Sequence, residues 1–74
     1  MGNKELLTKI KQYVEKQYQD LMEYKDNEYF KLDVKTTMAR CLGVIMFAQS
    51  CGIDYKDLDF YDEYADKFRK LLFE

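Results

Sequence analysis

The stretch CLGVIMFAQSC, residues 41–51, contains no charged residue, although charged residues make up 35% of the chain. If this stretch is a helix, its apolar side chains lie on more than one side, and only one of those sides can face the protein's own core. The chain has 74 residues, and a domain of this size buries only about 60% of the surface of its unfolded chain. The question that the stretch raises is therefore what covers its second side.

Hydrophobic periodicity predicts an all-α fold, a small three-helix bundle with short connections. The apolar positions recur at spacings of three and four residues in three segments, which predicts helices over about residues 4–25, 34–51 and 55–73. There is no proline to interrupt them. We expect residues 1–74 to form a single helical domain, because the chain is too short for two cores.

Helix ends are predicted from capping residues. Asn3, Asp33 and Asp54 each stand just before an apolar periodic run, where a side chain that accepts a backbone hydrogen bond is favoured. Gly52 follows the second run, where a residue with a positive φ commonly ends a helix. The segment 26–32 fits neither helical nor strand periodicity and is predicted to be a connecting loop.

The second helix carries two apolar faces. The face predicted to join the core comprises Val34, Met38, Cys41, Ile45 and Ala48. The opposite face, predicted to mediate self-association, comprises Ala39, Gly43, Met46, Phe47 and Ser50. Glycine inside a helix costs about 1 kcal/mol relative to alanine, so Gly43 favours close packing of another element there. A second copy of the chain, giving a homodimer, is the simplest cover; the loop around Tyr29 and Phe30, the end of the third helix or a different protein are the alternatives.

A negatively charged face on the third helix offers a different function. We name as the acidic ridge the residues Asp59, Asp62, Glu63 and Asp66. Such a ridge attracts basic surfaces, which predicts an acidic inhibitor or adaptor of the type encoded by mobile genetic elements, binding a basic protein partner. The alternative interpretation is a solvated helix face, because acidic residues near the start of a helix are favoured by its dipole.

The residue types present argue against catalysis, cofactors and metal ions. The chain has no histidine and a single serine, and its two cysteines lie ten residues apart, too far for a disulfide on one helix. A calcium-binding loop starting at Asp57 would need glycine where Asp62 stands and glutamate where Phe68 stands. We therefore predict no enzyme activity, no cofactor and no metal site.

Nucleic acid and membranes are not predicted partners. The lysines of the first helix lie on two sides and alternate with acids, and the formal net charge is −2. A helix-turn-helix-like nucleic-acid binder is the alternative that the sequence supports least, because it rests on architecture alone. The first ten residues contain no long apolar run, so we expect a cytoplasmic protein without a membrane segment.

Overall fold

The computed structural model describes residues 3–73, with side chains described for residues 4–73, and its fold is an all-α three-helix bundle. The elements are α1 (Asn3–Met22), α2 (Phe30–Ser50), the short α3 (Tyr55–Leu58) and α4 (Phe60–Phe73). None of the described residues lies in a strand. Each of α1, α2 and α4 packs against the other two, so the predicted fold class is confirmed.

One apolar face from each long helix forms the core. The predicted inner face of α2 lies there, with Val34, Cys41, Ile45 and Ala48 buried and Met38 half-buried. The core residues contributed by the other elements are Ile10, Val14, Leu21, Ile53, Leu58, Tyr61, Ala65, Phe68 and Leu71. The particle is elongated, with extents of 40 × 18 × 15 Å, because three roughly aligned helices surround a narrow core.

The start of α2 corrects the predicted loop. The helix begins at Phe30 and not after Asp33, and Asp33 lies in its first turn instead of capping it. The turn is made by Asn27, whose side-chain oxygen accepts the Tyr29 N–H at 2.8 Å and whose carbonyl accepts the Phe30 N–H at 3.0 Å. Burial of the Phe30 ring at this point anchors the first turn to the core.

The end of α2 has the geometry predicted from Gly52. The φ of Gly52 is +93°, its N–H donates to Gln49 O at 3.0 Å, and the Ile53 N–H donates to Ala48 O at 3.1 Å. These two bonds form a Schellman motif, which satisfies the last carbonyls of the helix. Ile53 and Ala48 are both buried, so the motif also ties this end of α2 to the core.

The other predicted ends differ by a few residues. α1 ends at Met22, followed by turns, and not at residue 25. Asp54 caps α3 as predicted, its carboxylate accepting the Lys56 N–H at 3.1 Å. The predicted third helix is divided at Asp59, which keeps right-handed helical dihedrals, so the interruption is local. The predicted cap at Asn3 lies outside the described side chains.

Candidate functional site on the outer face of α2

The face of α2 opposite the core is apolar and open. The side chains of Met46 and Phe47 are 60% and 65% exposed, and those of Leu32 and Leu42 are 61% and 48% exposed. Ala39, Gly43 and Ser50 are exposed as well. All five residues predicted for self-association therefore lie on the surface of the folded chain. Leu32 and Leu42 extend this surface and were missed as members of it, Leu32 because it was predicted to belong to a loop.

Six positions form a straight line along this face, which we call the outer seam. They are Leu32, Thr36, Ala39, Gly43, Met46 and Ser50. Their spacing alternates between four and three residues, which is the heptad pattern of helices that pack along their length. The seam contains no charged residue. The alternating spacing of three and four residues is the sequence signal for the outer seam. It can be recognised once the helix is known to start at Phe30.

The two hydroxyl groups of the outer seam are satisfied within α2. Thr36 Oγ1 donates to Leu32 O at 3.1 Å, and Ser50 Oγ donates to Phe47 O at 2.6 Å. A buried hydroxyl is costly when it lacks a partner, and these two already have one. Covering the outer seam would therefore leave neither of these donors unpaired.

Gly43 has no steric role within the folded chain. A Cβ atom built at Gly43 meets nothing within 4 Å among the described atoms, helix backbone nearby excepted. Glycine in a helix interior costs about 1 kcal/mol relative to alanine. The fold of the single chain thus gives no reason for glycine at this position, whereas a close contact with another molecule would.

The part of the chain that the structure describes does not fold over the outer face of α2. Phe30 points into the core, and Tyr29 remains 62% exposed. Phe73, near the end of α4, is 86% exposed. Neither the connection before α2 nor the end of α4 encloses Met46 or Phe47, since both stay mostly exposed. Within residues 3–73, the intramolecular cover considered from the sequence is therefore not present.

The two thiols differ in environment. Cys41 lies in the core, where burial raises the pKa of its thiol from 9.0 to about 11. Cys51 lies at the exposed end of α2. Burial also raises the pKa of Tyr61, whose hydroxyl donates to Met38 O at 3.3 Å and so joins α4 to α2. Cys41 and Tyr61 thus belong to the core.

The acidic ridge is exposed, and two of its carboxylates are engaged within the chain. Asp66 pairs with Arg69 at 2.8 Å. Asp62 accepts a hydrogen bond from the Tyr55 hydroxyl at 3.3 Å, and its negative charge raises the pKa of that phenol. Exposed pairs of this kind contribute little to stability. The ridge has the features of a solvated helix face, and its role in binding a basic partner stays a prediction.

Lysine side chains near the groove between α1 and α4 lie over aromatic rings. Lys67 Nζ is 4.9 Å from the ring centroid of Tyr64 and 5.5 Å from that of Tyr18. Lys11 Nζ is 5.5 Å from the centroid of Phe60. Such cation–π contacts cover aromatic surface with the lysine stems. The expectation that nucleic acid is not a partner stays a prediction.

Open depressions of about 370 to 490 Å³ lie between the elements. Within residues 3–73, no three Cys, Asp or Glu side chains are arranged to hold a metal ion. No helix in this part of the chain is long and apolar enough to cross a bilayer.

Comparison of the chain with protein-family models, curated proteins and solved structures gave no significant match.

Proposed function

We propose that this protein is a small interaction module that associates with a second copy of itself through the outer seam of α2. The observation that carries the proposal is the open apolar face centred on Gly43, where Met46 and Phe47 remain more than half exposed. A two-fold pair of α2 helices covers this face in both chains at once. Catalysis is no part of the proposed function.

The exposed area of the chain supports this proposal. A compact monomer of 9.0 kDa exposes about 4,850 Å², whereas this chain exposes 5415 Å². The surplus is a substantial part of the roughly 800 Å² that each partner buries in a standard interface. Part of it follows from the elongated shape, which also provides a long flank on which a second helix can lie.

The expected affinity is moderate. Burying an exposed Leu, Met or Phe side chain yields about 1.5 to 3 kcal/mol. Four such side chains per chain, each roughly half to two-thirds exposed, yield roughly 10 kcal/mol per dimer. Association costs at least about 4 kcal/mol. The difference corresponds to a dissociation constant on the order of tens of micromolar or weaker.

Sedimentation equilibrium tests the proposal. Between about 10 µM and 1 mM, the average mass of the wild-type protein should rise from 9.0 kDa towards twice that value. Gly43→Glu should remain monomeric and helical, because it places two carboxylates inside the seam without touching the core. Gln12→Glu, which adds the same charge at an exposed position of α1, is the matched control and should associate like the wild type.

Salt distinguishes this proposal from binding through the acidic ridge. Apolar association should persist at about 1 M salt, where charge interactions are screened within about 3 Å. A wild-type protein that stays monomeric up to millimolar concentration would refute self-association. Association that disappears in high salt would instead favour the acidic ridge.

A further inference from the structure

We infer that the two α2 helices of the dimer run antiparallel, related by a two-fold axis at the level of Cys41. This inference rests on the proposed self-association and adds the direction and register of the partner. It follows from three properties of the outer face: the spacing of the outer seam, the sizes of its side chains and the positions of the flanking residues.

The spacing of the outer seam is symmetric about Cys41. Read in either direction, the intervals between its six members are four, three, four, three and four residues. Turning one helix end over end about this point therefore places the seam of one copy onto the seam of the other. Each position then meets its mirror position: Leu32 meets Ser50, Thr36 meets Met46, and Ala39 meets Gly43.

The side chains that meet in this register differ in size. A large residue faces a small one in the two outer layers, Leu32 against Ser50 and Met46 against Thr36. The central layer joins Ala39 to Gly43, so the two backbones can approach most closely at the axis. Facing large and small side chains fill successive layers evenly. The open space at Gly43 is the position that the partner's Ala39 occupies.

The flanking residues also pair across the two-fold axis. Phe47 and Arg40 flank the seam on one side, and Leu42 and Lys35 flank it on the other. Antiparallel packing brings the same side of both copies together, so each Arg40 lies on the same flank as the Phe47 ring of the other copy, about 7.5 Å away along the axis. Leu42 and Lys35 are related in the same way on the other flank. Both cations are exposed, and their stems and charges can cover the two apolar side chains.

A parallel pair lacks these matches. It would place each seam residue against its own copy, so the Met46 layer would be wide and the adjoining Gly43 layer narrow. It would also place Lys35 on the same flank as the partner's Arg40, about 7.5 Å away along the axis, so that like charges would meet. The like charges of Lys35 and Arg40 would gather at one end of the pair, whereas the antiparallel arrangement distributes them between both ends and brings Lys35 near a helix carboxyl end.

Disulfide crosslinking tests the orientation. Leu32→Cys and Ser50→Cys are made separately in a chain that also carries Cys51→Ser; both sites are exposed, and Cys41 stays buried. The two variants are mixed in equal amounts at a concentration where sedimentation shows dimers, and are oxidised mildly. The antiparallel register places position 32 of one copy beside position 50 of the other, while like positions lie about 27 Å apart, far beyond the roughly 7 Å limit for a disulfide.

If the two variants paired at random, the mixed disulfide and the like-with-like disulfides would form in equal total amounts. The antiparallel register should raise the mixed disulfide above the like-with-like disulfides by at least about tenfold. A disulfide between position 50 of one Ser50→Cys chain and position 50 of another would overturn the antiparallel orientation while leaving self-association intact. A dimer that forms neither link would overturn the register. A monomeric protein in sedimentation would remove the orientation together with the proposed function.

Discussion

Replacing Gly43 by alanine should affect folding and association in opposite directions. Nothing lies within 4 Å of a Cβ atom at this position apart from nearby helix backbone, so the new methyl group meets no obstacle in the single chain. The helix propensity gained is about 1 kcal/mol. For a domain of this length, that gain raises the melting temperature by about 4 to 8 °C.

The proposed dimer should respond oppositely, because both new methyl groups would enter its central Ala39 and Gly43 layer. Overpacking of a tight contact costs about 1 to 3 kcal/mol, which raises the dissociation constant by about five- to 150-fold. Urea denaturation followed by circular dichroism at low micromolar concentration measures the first effect, and sedimentation equilibrium measures the second.

The two measurements can fail separately. An unchanged dissociation constant would show that Gly43 is not at the contact between copies. A monomer made less stable by the alanine would show that the space at this position is not open. Either result would contradict the account of Gly43 as a residue used only in association.

Four other predictions can be checked on the single chain. Gly52→Ala should destabilise it by about 1 to 2 kcal/mol, because φ at Gly52 is +93°, and urea unfolding should show the opposite sign to Gly43→Ala. Phe68→Ala should destabilise the chain by about 3 to 5 kcal/mol, since Phe68 is fully buried. Phe73, in contrast, is 86% exposed, so Phe73→Ala should change stability by less than about 0.5 kcal/mol. Equal losses of stability in the two variants would refute the placement of Phe68. At about pH 8, iodoacetamide should modify Cys51 in the folded protein and modify Cys41 only after unfolding. Burial raises the pKa of Cys41 to about 11, which leaves about one Cys41 side chain in a thousand as the thiolate at that pH. Two modified thiols in the folded protein, detected by mass spectrometry, would contradict this. The raised pKa of Cys41 also favours the folded state below pH 9.0, the ordinary pKa of a thiol. This contribution to the free energy of unfolding should be lost as pH rises through about 11. Unfolding measurements across that pH range would detect the loss.

Local sequence signals located the helices well where side-chain chemistry dictates the backbone. Gly52 ends α2 because a positive φ suits glycine, and Asp54 caps α3 because its carboxylate can accept a backbone N–H. The start of α2 was misplaced because Asp33 resembles a cap, while the actual turn depends on Asn27 and on burial of Phe30. That burial is a tertiary contact, which periodicity alone does not reveal.

The candidate site was predictable in composition but not in extent. The apolar residues around Gly43 are visible in the sequence, yet the same pattern fits a helix covered by its own chain. The exposure of Met46 and Phe47 in the folded chain shows that residues 3–73 do not supply this cover. The symmetric spacing of the outer seam could be recognised only from the true start of α2, because Leu32 is one of the two end residues of the seam.

The separation of the two faces of α2 has an evolutionary consequence. Val34, Cys41 and Ile45 are buried in the core, while Ala39, Gly43 and Met46 on the opposite side are exposed. Substitutions on that outer side can therefore accumulate with little effect on whether the chain folds. If the outer side binds as proposed, descendants of this sequence could change binding specificity through substitutions at a few outer positions while keeping the same interior.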